Sequence, residues 1–198
     1  MEQPLGGKPW ITIISPKISP PSLKDNTADV DRLIKGIKKT LQAERINVEF
    51  SLAKTLPQTL RQYNYSVDAA VLEDPNGSHL IDIFPAHKEH RIYGMAVDLG
   101  SSTVVVRLVD LSSQEIRDEI SFHNPQMKIG TDILTRIHFA ATEGGLEELQ
   151  TLLLKRLNSE IHLLTKKYHI NTRSIVAISV AGNTTMTHLF LGLDPYWI

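Results

Sequence analysis

Apolar positions along this chain repeat with two different periods, and the changes from one to the other mark out its elements. Trp10–Ser15 is a β-branched run ended by Pro16, Pro20 and Pro21, and it predicts a strand. Val30, Leu33, Ile34, Ile37 and Leu41 then fall on one face of a 3.6-residue period, a helix that Asp25 or Asn26 can cap. Ile46–Phe50 reads as a second strand, and Thr55-Leu56-Pro57 as the start of a short helix through Leu60, with Thr55 as cap. Two apolar runs, Ser66–Glu73 and His79–Phe84, flank Asp74-Pro75-Asn76-Gly77, a hairpin signal.

The polar stretch from Pro85 to Arg91 breaks the pattern and predicts a domain boundary. Its His87, Glu89 and His90 have the residue types of a metal site but no third clear ligand, so a solvated linker is the simpler expectation. Beyond it, Tyr93–Val97, Thr103–Leu108 and Glu119–His123 read as three strands, the first two joined by a tight turn, an antiparallel start to a sheet. Thr131–Thr142 predicts a helix broken at Gly144-Gly145. Leu146, Leu149, Leu152, Leu153, Leu157, Ile161 and Leu164 predict a long amphipathic helix ending near His169. Ser174–Val180 is apolar enough to predict a buried strand, and a last helix runs from the Thr184-Thr185 turn to Leu191. The expected organisation is an arm over 1–9, an α/β domain over 10–91 and a second over 92–198.

Charge narrows the function classes. The 198 residues carry 21 Lys and Arg against 22 Asp and Glu. Residues 1–92 hold 12 basic and 11 acidic side chains and the remainder 9 and 11, so neither half offers a nucleic-acid groove or a polybasic membrane anchor. Cysteine is absent, which removes disulfides, thiolate metal sites and a Cys-ligated iron–sulfur cluster from these residues. No apolar run approaches a membrane span, and Met1–Trp10 lacks the basic start and apolar stretch of a signal peptide. A cytoplasmic protein is the expectation.

Three segments hold candidate chemistry. In the first, an apolar strand delivers Asp98 to a sheet edge, Gly100 permits a sharp turn, and Ser101, Ser102 and Thr103 follow. Successive backbone amides of such a turn can form a concavity for phosphate oxygens, with Asp98 holding Mg²⁺ through water. An ordinary hairpin has the same composition. The segment is neither a Walker loop nor a dinucleotide fingerprint. In the second, Gly182, Asn183 and Thr184 join a strand directly to a helix whose exposed amides can receive an anion, or which Asn183 simply caps. Two strands each ending in a glycine turn with hydroxyl residues are the expected walls of one phosphate site. The third, from Asn124-Pro125-Gln126 to Thr131-Asp132, is either a nucleotide or partner contact or a structured connector. No histidine spacing suggests a zinc site or a catalytic triad.

At these motifs a resemblance enters. Tyr93-Gly94-Met95-Ala96-Val97-Asp98-Leu99-Gly100-Ser101-Ser102-Thr103 resembles the first phosphate motif of the actin, Hsp70 and sugar-kinase superfamily. Asn124-Pro125-Gln126 with Gly130-Thr131-Asp132-Ile133-Leu134-Thr135-Arg136-Ile137, the run Gly182–Leu189, and Leu191-Gly192-Leu193-Asp194-Pro195 resemble ATP-dependent reductive activators of corrinoid proteins. Pro20–Asn26, Ala28–Leu33 and Leu56–Arg61 are similar to that family's middle domain. The resemblance implies an α/β chain: a small middle domain over 10–91, then the N-terminal part of a ribonuclease-H-like, actin-like ATPase lobe over 92–198. It implies ATP and Mg²⁺ as ligands, with Asp98, Gly100, Ser101, Ser102 and Thr103 facing phosphates and metal and Gly182, Asn183 and Thr184 as the neighbouring wall. It implies a corrinoid protein of a methyltransferase system as partner, returned from cob(II)amide to cob(I)amide, and a homodimer as a further possibility.

The departures from the family pattern shape the rest. The iron–sulfur domain of such activators needs cysteine, and here Ser-Ser-Thr replaces the usual threonine run. The second Asp-x-Gly phosphate motif and the adenosine motif do not follow Asp98. The resemblance therefore implies a fragment of a longer activator, its cluster carried elsewhere and its catalysis incomplete. A kinase or dehydratase activator of the same superfamily, or a non-catalytic module docking a corrinoid protein through residues 10–90, are the alternatives.

Overall fold

The computed structural model describes residues 10–86 and 90–198. The arm over 1–9, and His87 and Glu89 of the metal reading, lie outside the described residues. The chain divides into two units, Met1–Arg91 and Ile92–Ile198, each built on its own four-stranded mixed sheet.

In the first unit the strands β1 (Ile11–Ile14), β2 (Ile46–Val48), β3 (Val67–Asp74) and β4 (Gly77–Pro85) lie in the order β1-β3-β4-β2, with only β2 and β4 parallel. Helices α1 (Asp29–Leu41) and α2 (Phe50–Gln62) bury Leu33, Ile37, Leu56 and Leu60 against Val67, Ala69, Val71, Leu80 and Ile83. In the hairpin, Asp74 and Gly77 are paired across Pro75-Asn76, and the Asp74 carboxylate accepts the Asn76 amide at 2.7 Å.

Four details depart from the sequence reading. The expected second strand stops at Val48, and Phe50 instead opens α2, with its side chain exposed. Glu49 takes the N-cap position, so Thr55 is no cap and Pro57 sits inside the helix. The apolar stripe of Leu56 and Leu60 packing on the sheet outweighs the amide bond that a mid-helix proline forfeits. Neither Asp25 nor Asn26 caps α1, because Ala28 holds the N-cap position. Asp25 is drawn instead into an ion pair with Arg32 at 2.5 Å, while Arg32 also donates to the carbonyls of Ser19, Asp25 and Thr27. Finally, His90 is not a solvated linker side chain. Its Nε2 lies 3.3 Å from the buried Asp68 carboxylate and 2.8 Å from the Pro85 carbonyl, with its ring beside Phe84.

In the second unit β5 (Tyr93–Leu99), β6 (Thr103–Asp110) and β7 (Glu115–His123) form an antiparallel meander, and β8 (Ile175–Gly182) pairs parallel to β5. The order is β7-β6-β5-β8. Alternation along β5 sends Tyr93, Met95, Val97 and Leu99 into the core, where Leu149, Leu153, Leu157 and Leu164 of α4 (Gly145–Lys167) and Met186 and Leu189 of α5 (Thr184–Leu191) meet them. Helix α3 (Ile133–Ala140) packs against α4.

Strand β8 is not buried as its apolar run suggests. It forms the sheet edge, and Ile178, beside Met95 in register, is 53% exposed. An apolar run tells that a strand can be covered, not that a neighbour covers it.

Candidate phosphate-binding site

The parallel register of β5 and β8 sets Asp98 beside Ala181 and Leu99 beside Gly182. Both strands therefore end at the same sheet edge, side by side, where α/β sheets collect their ligands. The turn Gly100–Ser102 leaves one strand and the cap Asn183 leaves the other. The eight candidate residues thus lie at these two neighbouring strand ends and in the turns that leave them, with Thr103 opening β6 and Thr184 opening α5.

Two glycines make the approach possible. A Cβ on Gly100 would lie 2.3 Å from the Thr103 carbonyl oxygen, so no other residue fits the turn without moving backbone. A Cβ on Gly182 would lie 2.9 Å from the Leu99 carbonyl oxygen, so glycine lets the second strand end lie flush against the first.

The turn is held from beneath by three consecutive carbonyls. The Asn124 side chain donates to the Gly100 oxygen at 3.0 Å, the Arg136 guanidinium to the Ser101 oxygen at 2.7 Å, and the Asn124 backbone amide to the Ser102 oxygen at 2.9 Å. With its carbonyls drawn inward, the turn leaves its amides on the other side. Neither the Ser101 nor the Ser102 amide has an acceptor among the described residues. Ser102, Thr103 and Asp98 are exposed, and strand alternation sets Asp98 on the face away from the core, next to Val105 and Ala181.

The second wall is a helix cap. The Asn183 side chain accepts the Met186 amide at 2.9 Å, and Thr187 donates its hydroxyl to the Asn183 carbonyl at 3.0 Å. Thr184 opens the helix, exposed, its carbonyl against His188 Nδ1.

The third segment is built into the fold at Asn124 and Gln126, while Thr131 and Asp132 are exposed. Asn124 and Gln126 are buried: Asn124 caps the 3₁₀ turn Pro125–Lys128, and Gln126 donates to the Leu149 carbonyl at 3.0 Å. Asp132 caps α3 through the Thr135 amide and hydroxyl, and these hydrogen bonds hold its carboxyl below the usual range. Of these, Asn124 clamps the turn from beneath, whereas Gln126 ties the segment to α4 and Asp132 caps α3.

Arg136 is the residue that pattern reading passed over. It is fully buried, donates Nε to the Gly130 carbonyl at 2.8 Å, and places Nη1 3.4 Å from the Met186 sulfur. Among the described residues no carboxylate pairs with it. Burial lowers its pKa and the Asp132 charge opposes that, but a guanidinium stays protonated in proteins. Position alone could not reveal it, since helix residue 136 gives no sign of which carbonyls lie within reach.

Family models account for nearly the whole chain: residues 93–198 match the RACo middle region and residues 7–90 the RACo linker region. The chain belongs to the RACo family. The middle region thus lies over 93–198, whereas the resemblance implies a middle domain over 10–91, the stretch that matches the linker region instead. The corrinoid activation enzyme RamQ of Eubacterium limosum is 35% identical over 159 residues, 73% of this chain and 27% of that protein. A solved structure described as a reductive activator for a corrinoid, iron-sulfur protein superimposes with a TM-score of 0.80 at 34% identity, over 96% of this chain and 30% of that one. The chain spans less than a third of the length of these relatives. No helix among the described residues is long and apolar enough to cross a membrane.

Proposed function

We propose that this chain is the linker and nucleotide-binding portion of an ATP-dependent reductive activator that returns a corrinoid protein from cob(II)amide to cob(I)amide. Leu99 beside Gly182 is the observation that carries the reading, because it makes one edge of two turns that the sequence separates widely. The Ser101 and Ser102 amides and the Thr103 hydroxyl would hold phosphate oxygens from one side, and the first turn of α5 from the other. MgATP fits the donor set. No cluster of three metal-ligating side chains occurs among the described residues, and Mg²⁺ needs none, since one carboxylate, phosphates and water complete its shell. Asp98 is the exposed carboxylate at that edge and would hold the ion through water.

The chemistry requires one electron for the corrinoid cobalt, which an iron–sulfur cluster carried outside these residues would supply. ATP hydrolysis would drive the uphill transfer through an actin-like closure. The partner is a corrinoid protein and the setting a cytoplasmic methyltransferase system.

The test has two stages. Calorimetry on this chain should detect Mg²⁺-dependent ATP binding that Asp98→Asn weakens about tenfold or more. Equal affinity of the variant removes Asp98 from the role. A longer protein carrying these residues should then convert a cob(II)amide partner to cob(I)amide, followed by visible absorption, only with MgATP and a reductant. Conversion without ATP rejects the reading.

A further inference from the structure

A buried guanidinium without a carboxylate is an expensive choice for a stitch between loops, because desolvation opposes the charge and neutral carbonyls repay it only in part. Arg136 directs its Nε and Nη2 donors to two carbonyls, those of Gly130 and Ser101, and sets a third against a sulfur, a weak acceptor. No carboxylate touches it among the described residues and only the field of Asp132 offsets its charge, directly beneath the turn whose outer amides lack acceptors. Through Met186 it also touches the helix of the second wall.

We propose that Arg136 is the positioning residue of the phosphate turn: it fixes the Ser101 carbonyl inward, so that the neighbouring amides face a polyphosphate, and it supplies the buried positive charge that a polyanion there neutralises. This rests on the phosphate reading above. The guanidinium does not touch the ligand; it acts through the Ser101 peptide and through the field in a dry interior. Bound phosphate would offset the cost of its burial, so the two anion-facing turns and Arg136 would stabilise together.

The probe is inorganic tripolyphosphate with Mg²⁺, titrated by calorimetry into the 198-residue chain and into Arg136→Met and Arg136→Lys, each checked as folded by circular dichroism. The unaltered chain should bind. Arg136→Met should bind at least about tenfold more weakly per folded molecule, as expected when a loop is misplaced, and its melting temperature should no longer rise with tripolyphosphate. Arg136→Lys, which keeps the charge but cannot fork, should fall between. A purely structural arginine would lower the melting temperature and leave the affinity of folded molecules unchanged, and that result overturns the proposal while the phosphate reading stands. No binding by the unaltered chain overturns both. If Arg136→Met does not fold, Arg136→Lys decides: weaker binding supports the proposal and equal binding overturns it.

Discussion

The side-chain amide of Asn124 donates to the carbonyl of Gly100 at 3.0 Å, and so ties the end of the β-meander to the turn at its beginning. The same side chain accepts the Gln126 amide, and it is 1% exposed. Replacing it with alanine strands the part-buried Gly100 acceptor and the buried Gln126 donor at once. Asn124→Ala should destabilise the second unit by about 2–4 kcal/mol, read as a lower midpoint in urea. Asn124→Asp should fare no better, because a carboxylate would face the Gly100 oxygen without a proton to donate.

The two glycines should differ in their tolerance. A methyl on Gly100 meets backbone oxygen at 2.3 Å and one on Gly182 at 2.9 Å. Gly100→Ala should therefore cost more stability than Gly182→Ala, with both above about 1 kcal/mol. Thermal melts of the two variants check the order; a Gly100→Ala chain as stable as the parent would show that the turn relaxes freely.

The Asp25–Arg32 pair sets an acid limit on the first unit. The hydrogen bond from Arg32, then those from Thr27, hold the Asp25 carboxyl well below its ordinary value of 3.8. A depressed folded-state pKa gives stability that is complete above the unfolded value and fades as pH falls through it toward the folded one. Asp25→Asn should thus lose stability at pH 7, and the gap to the parent should narrow progressively below about pH 4. Denaturation midpoints at several pH values give the measurement, and a gap independent of pH would contradict it.

Edge and centre should separate cleanly in the second sheet. Ile178 and Met95 are register neighbours, one 53% and the other 3% exposed. Met95→Ala should cost about 2–5 kcal/mol, whereas Ile178→Thr should stay within about 1 kcal/mol. Urea midpoints of the two variants decide it.

Much of this architecture is written in local patterns. The alternation of Tyr93, Met95, Val97 and Leu99 and the leucine stripe of α4 state which faces turn inward, and the turn chemistry of Gly100 and Gly182 marks where strands end. What stayed illegible depends on partners distant in sequence. Pro57 reads as a helix start by local propensity, yet burial of Leu56 and Leu60 extends the helix past it. Asp25 reads as a cap until Arg32 claims it, and β8 reads as buried until the sheet ends there. At the site, the eight named residues come from motifs that pattern exposes, while Asn124 and Arg136 act from behind through contacts that no spacing encodes.

Strand β5 has one neighbour from the chain just after it and one from about eighty residues further on. The meander is a local event, while β8 must close a long loop that contains two helices before it docks. As the polypeptide leaves the ribosome, the first turn of the candidate site therefore takes shape well before its second wall exists. Until β8 arrives, the open flank of β5 exposes unpaired amides and carbonyls beside an apolar face, which makes that interval the stage of synthesis most open to misassembly and to chaperone capture.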